Sequence, residues 1–196
     1  MGKRQGKVER KTSEVKVKVN IDLDGKGSFK IDTGIPFFTH MLAQLAKHGY
    51  FDLTINAIGD VDVDYHHTVE DVGLALGEAF LEALGDKKGI VRYGDAYVPF
   101  DDTLVFATVD LSGRPYFVYR AELPKSKVGE FDTELAQEFF KSFSNTLMCN
   151  LHIDLKYGEN MHHNIEAMFK AVGRALDIAT GLDARSKQVP STKGKL

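Results

Sequence analysis

An internal duplication constrains this chain more than any other feature. A single shift of 96 residues lays Val69, Val72, Leu76, Phe80 and Ala83 on Ile165, Met168, Val172, Leu176 and Ala179. Each set is an apolar stripe at helical period, so each copy contains a long helix with one core-facing side. Gly77 falls on Gly173 and Ala79 on Ala175 under the same shift. His66, His67 and Glu70 fall on His162, His163 and Glu166, so the repeated unit carries chemistry as well as core. A shift of 98 aligns the shorter preceding helices and sets His40 opposite Glu138.

The rest of each copy follows one order. Alternation through Val15, Val17, Val19, Ile21 and Leu23, a turn at Asp24-Gly25 and renewed alternation over 28–32 predict a β-hairpin. Helical spacing over 38–48, alternation over 51–58 and a helix over 69–84 ended at Gly85 complete a ββαβα order. Beyond a strand-like connector over 90–100 the order returns. Strands span 104–111 and 116–123 about Ser112-Gly113, then come a helix over 134–147, a strand over 151–157 and a helix over 165–180. The expected fold class is α+β, one domain with halves over 14–89 and 90–182. A basic arm over 1–13 and a basic tail over 183–196 lack an apolar period and read as flexible ends.

At 196 residues such a domain can bury a core without staples. The net charge of -3 gives no global reason to bind nucleic acid, and no apolar run is long enough to cross a bilayer. A single cysteine, Cys149, excludes an internal disulfide, and no apolar leader precedes the first strand-like segment. A reduced, cytoplasmic protein is expected, with neither nucleic acid nor membrane as partner.

The repeated HHxxE is the chemical core of the sequence. Residues three or four apart share a helix face, so each glutamate can serve the same ion as either histidine before it. Adjacent histidines stand about 100° apart around the axis and diverge, so each pair serves two ions, or one ion and one ligand. Leu74, Gly77 and Leu81 lie on the side of Glu70, which predicts that the metal face is covered by the other half or by another subunit. Imidazoles and carboxylates without thiolate suit manganese, iron or zinc alike. His40 is the nearest further ligand. His48 precedes Gly49 at a helix end, where capping and catalysis are both open. His152 reads as structural. Ser191-Thr192-Lys193-Gly194 could wrap an anion, and no nucleotide-binding glycine loop is present. A metal-dependent hydrolase is one alternative, although HHxxE differs in order from HExxH and HxxEH. A non-enzymatic shell protein with structural metals is another.

Phe37-Phe38-Thr39-His40-Met41-Leu42, Lys47-His48-Gly49, the two HHxxE motifs and Pro190-Ser191-Thr192-Lys193-Gly194 together resemble the imidazoleglycerol-phosphate dehydratase family, over 14–193. The resemblance implies that each half is a four-stranded sheet carrying two helices on one face. It also implies trimers assembled into a 24-subunit homo-oligomer, with two Mn2+ ions per active site held between subunits and other divalent metals possible. His40, His66, His67, Glu70, Glu138, His162, His163 and Glu166 match the family's metal ligands, Glu138 standing where some relatives carry His. Arg92, Arg114, Lys170, Ser191 and Lys193 match phosphate-holding positions, and Gln44, Glu14 and His48 line the substrate, the last two as catalytic groups. Asn164 and Met161 depart from commoner residues, and the stretch before Pro190 is short. The implied reaction is the dehydration of imidazole glycerol phosphate to imidazole acetol phosphate in histidine biosynthesis, through a metal-bound imidazolate and a diazafulvene.

Overall fold

The computed structural model describes residues 3–196; Met1 and Gly2, the start of the expected arm, lie outside it. Strands β1 (Gln5–Lys11), β2 (Val15–Asp22), β3 (Phe29–Asp32) and β4 (Asp52–Gly59) form a sheet in the order β1-β2-β4-β3. Strands β5 (Tyr93–Phe100), β6 (Thr103–Asp110), β7 (Tyr116–Arg120) and β10 (Asn150–Tyr157) form a second sheet in the order β5-β6-β10-β7. A small ribbon, β8 (Lys127–Val128) and β9 (Phe131–Asp132), precedes the second half's first helix. The helices are α1 (Pro36–His48), α2 (His66–Leu84), α3 (Glu134–Leu147) and α4 (Met161–Thr180). The fold is thus α+β and duplicated, each half a four-stranded sheet with two helices.

Three expectations are corrected. Residues 5–11 are not a flexible arm: they form β1, antiparallel to β2 along its whole length. The segment over 90–100 is likewise not a connector, because its 93–100 portion is β5, the counterpart of β1. The predicted hairpin between the second and third strands is also absent. β2 and β3 both flank β4, the first antiparallel and the second parallel, so the true hairpins are β1-β2 and β5-β6. The basic, aperiodic composition of 3–11 hid a strand whose only inward side chains are Gly6, Val8 and the half-buried Arg10.

Each sheet is buried on one face. In β2 the apolar set Val15, Val17, Val19 and Ile21 is buried while its alternate lysines face outward, as period-two patterning requires. The helices lie between the sheets. α2 packs on β1 and β2 and α4 on β5 and β6, while α2 meets α3 and α1 meets α4 across the halves. Close contact is set by Gly6 and Gly94, where a Cβ would stand 2.0 Å from the carbonyl oxygens of Ala79 and Ala175 respectively. Gly77 presses on α3 and Gly173 on α1, so the glycine face of each long helix is covered by the other half.

Candidate active site

The N-terminus of α4 is anchored before it carries any ligand. Asp102 accepts hydrogen bonds from the backbone N–H groups of Glu159 and Asn160, and the Asn160 side chain accepts from the N–H groups of His162 and His163. This is an N-cap that fixes where both imidazoles start. Asn164 is fully buried and its Oδ1 accepts from Thr103 Oγ1 at 2.7 Å, tying the same turn to β6.

His40 from α1 and His162 and Glu166 from α4 converge, their ligand atoms all lying within 4.8 Å of one another. His40 Nε2 and His162 Nε2 are each 3.0 Å from Glu166 Oε2. Of the two glutamate partners left open by the helical wheel, the first histidine of this pair is the one that reaches the carboxylate. Glu166 is 5% exposed. Burial works against its charge, but Lys170, His162 and His40 outweigh it and hold its carboxyl below the usual range. Lys170 supplies the counterion, with Nζ 2.7 Å from Glu166 Oε1 and 3.7 Å from the centre of the Phe100 ring. Two imidazoles and an ionised carboxylate in this arrangement fit a divalent ion.

The duplicated counterpart is looser. His66 and Glu138 line one cavity of about 270 Å3 with Asp64, Asp132 and Glu134. Glu70 is half-buried on the next turn of α2, and Leu74 stands at the position equivalent to Lys170. Among the described residues, only the first centre gathers three ligand atoms.

The second histidine of each pair turns elsewhere. His67 Nδ1 is 3.0 Å from Asp60 Oδ2 and 3.7 Å from Glu14 Oε2. His163 Nδ1 is 2.5 Å from Asp102 Oδ1, and its Nε2 is 3.7 Å from Asp101. The Asp60 hydrogen bond raises His67 above the ordinary imidazole value, and His163 together with the 159–160 amides holds Asp102 well below the carboxylate range. A carboxylate on one ring nitrogen fixes the orientation of the other. Sequence reasoning missed Asp60, Asp101 and Asp102. A signal existed for the last two: the two-residue turns 13–14 and 101–102 occupy the same place in the two hairpins.

Gln44 Nε2 lies 3.5 Å from the His40 ring nitrogens. His48 ends α1 half-buried. Burial lowers its pKa, and Lys170 and Arg174 add to the shift. His152 is exposed on the outer face of β10 and belongs to no cluster.

Arg92, Arg114, Ser191 and Lys193 line a separate cavity of about 600 Å3. The tail is held there rather than free: Gly89 N–H donates to the Gln188 carbonyl and Arg92 Nη1 to the Pro190 carbonyl. Arg92 also pairs with Asp110 and covers the Tyr93 ring. Because Arg92 N–H donates to the Ala179 carbonyl, this cavity sits at the far end of α4, about 20 Å from Glu166 at the helical rise. Within one chain Lys170, expected with these residues, stands beside the His40–His162–Glu166 cluster.

The family profile described as imidazoleglycerol-phosphate dehydratase matches residues 33–176. An imidazoleglycerol-phosphate dehydratase of Trichlorobacter lovleyi is 60% identical over 194 residues, 99% of this chain and 100% of that one. One from Geobacter sulfurreducens is 54% identical over 98% of this chain and 99% of its own. The crystal structure of the Staphylococcus aureus enzyme superposes with a TM-score of 0.82 at 43% identity, covering 91% of this chain and 99% of that one. The structure from Pyrococcus furiosus, in complex with (S)-C348, gives a TM-score of 0.83 at 35% identity, covering 96% and 100%.

Proposed function

The chain belongs to the imidazoleglycerol-phosphate dehydratase family, lyases that dehydrate imidazole glycerol phosphate in histidine biosynthesis, and we propose that it does so as a manganese-dependent enzyme with active sites shared between subunits. This family membership replaces the hydrolase and shell-protein alternatives. The observation that carries metal dependence is the convergence of His40, His162 and Glu166. We assign one ion to these three and a second to His66, Glu70 and Glu138, with His67 and His163 as ligands offered to neighbouring subunits. When bound, the ions would act as Lewis acids that orient the substrate's imidazole and draw electron density from it.

A shared site is supported by distance within one chain. The phosphate-holding residues lie about 20 Å along α4 from the metal ligands, too far for one small substrate to touch both. Phosphate held by Arg92, Arg114, Ser191 and Lys193 of one subunit would meet metal ligands of another, as in an assembly of trimers into a 24-subunit shell. We place this assembly in the cytoplasm; no helix among the described residues is long and apolar enough to cross a membrane.

The chain's own residues account for the proton transfers. The hydroxyl beside the imidazole is a poor leaving group until protonated, and the hydrogen on the next carbon is not acidic until the hydroxyl departs. Loss of that hydroxyl as water gives a diazafulvene, and removal of the neighbouring C–H proton gives an enol that becomes the ketone. Glu14 and His48 share these transfers. His48 suits the accepting role, because burial and the adjacent Lys170 and Arg174 charges favour its neutral ring.

Stripping the protein with chelator and assaying ketone formation with and without added Mn2+ tests the proposal. Turnover lost on stripping and restored by Mn2+ supports it. Full turnover by the metal-free protein, or none by folded, manganese-loaded protein, overturns it.

A further inference from the structure

We propose that Thr12, with Asp71 and Arg10, is a positioning clamp that anchors the β1-β2 turn and thereby presents Glu14 to substrate. The inference rests on the assignment of Glu14 to proton transfer. Asp71 follows the ligand Glu70 on α2 and is 7% exposed. Its Oδ1 accepts from Arg10 Nε at 2.7 Å, and its Oδ2 lies 3.4 Å from Thr12 Oγ1. The same hydroxyl oxygen accepts the backbone N–H of Glu14 at 3.2 Å and of Val15 at 2.9 Å. The Thr12 hydroxyl hydrogen is shared between Asp71 Oδ2 and the Val15 carbonyl, at 3.3 Å, so Thr12 links the metal-bearing helix to the turn and to the amide of the residue that carries the carboxylate.

The duplication provides an internal control. In the second hairpin the positions equivalent to Arg10 and Thr12 are Val98 and Phe100, and Ala167 replaces Asp71 on α4. The metal ligands were kept in both halves, whereas the clamp exists in one. The difference follows the fate of the turn carboxylate. Asp102 is bound directly to His163 and to two backbone amides, so its side chain is occupied. Glu14 is anchored through its backbone, and its side chain is 52% exposed, 3.7 Å from His67. Holding the main chain leaves the carboxylate free to meet a substrate in a fixed position, and a small misplacement of such a group is costly in rate.

Thr12→Val keeps shape and removes the hydroxyl. In the manganese-loaded enzyme it is expected to lower kcat by roughly 10- to 100-fold while KM, manganese content and the unfolding midpoint stay near wild type. Thr12→Ser should restore kcat. Asp71→Asn, which keeps size and loses charge, should lower kcat in the same direction. Wild-type kcat in Thr12→Val, or a loss that comes with metal release or that Thr12→Ser does not rescue, overturns the clamp. Glu14→Gln separates the two assignments. If it is inactive while Thr12→Val is fully active, only the clamp fails; if Glu14→Gln is itself fully active, the assignment of Glu14 fails.

Discussion

Lys170 and Glu166 form a buried ion pair one helical turn apart, with Nζ 2.7 Å from Oε1, while His40 and His162 take the other carboxylate oxygen. The lysine stands in for part of the charge that a metal would bring. Lys170→Met should therefore destabilise the metal-free protein by about 1–3 kcal/mol and the manganese-loaded protein by less, as read from urea unfolding of both forms. The Glu166 carboxyl is held below its ordinary 4.5, so its contribution is present above that pH and is lost as pH falls through the lower folded value. An equal loss with and without metal would show that the pair does not substitute for the ion.

His48 supplies a pH test. Burial, followed by the Lys170 and Arg174 charges, lowers its pKa from the ordinary 6.5. The folded state therefore binds less proton than the unfolded chain just below pH 6.5, and the associated stability is complete above that pH and declines below it. In the metal-free protein, an NMR titration should find the His48 ring half-titrating below pH 6.5. A half-titration at or above 6.5 would contradict the burial argument.

Gly94 lets β5 lie directly on α4, since a Cβ there would be 2.0 Å from the Ala175 carbonyl oxygen and 2.8 Å from the Ala179 nitrogen. Neither backbone can retreat within a packed helix. Gly94→Ala should cost more than about 3 kcal/mol, in the range of severe overpacking, in denaturant unfolding. A loss under 1 kcal/mol would mean that the layers are looser than drawn.

Cys149 is fully buried, and burial pushes its thiol up to about 12. A maleimide at pH 8 should leave the native protein unlabelled and modify it fully in denaturant. Rapid labelling of native protein would place Cys149 in a segment that opens readily.

The paired helices and the duplicated HHxxE residues were legible in the residue order, because helical period and an exact repeat survive without any knowledge of packing. The composition of 1–13 and the turn at Asp24-Gly25 misled, since strand partnership is a non-local choice. β1 is admitted to its sheet by Gly6 meeting α2, and β2 and β3 are parted by β4 entering between them, neither of which is encoded in local alternation. The spacing of HHxxE allowed Glu166 to meet either histidine. Tertiary structure chose His162 by bringing His40 across from α1, and turned His163 toward Asp102 of a distant hairpin. It also set Lys170 beside Glu166, about two and a half helical turns before the end of α4 that meets Arg92. By itself the sequence determined the helices and the recurrence of HHxxE at matching positions, since residue type and period are local properties. Only the folded chain decided which of them meet, because those distances arise from packing between elements far apart in the chain.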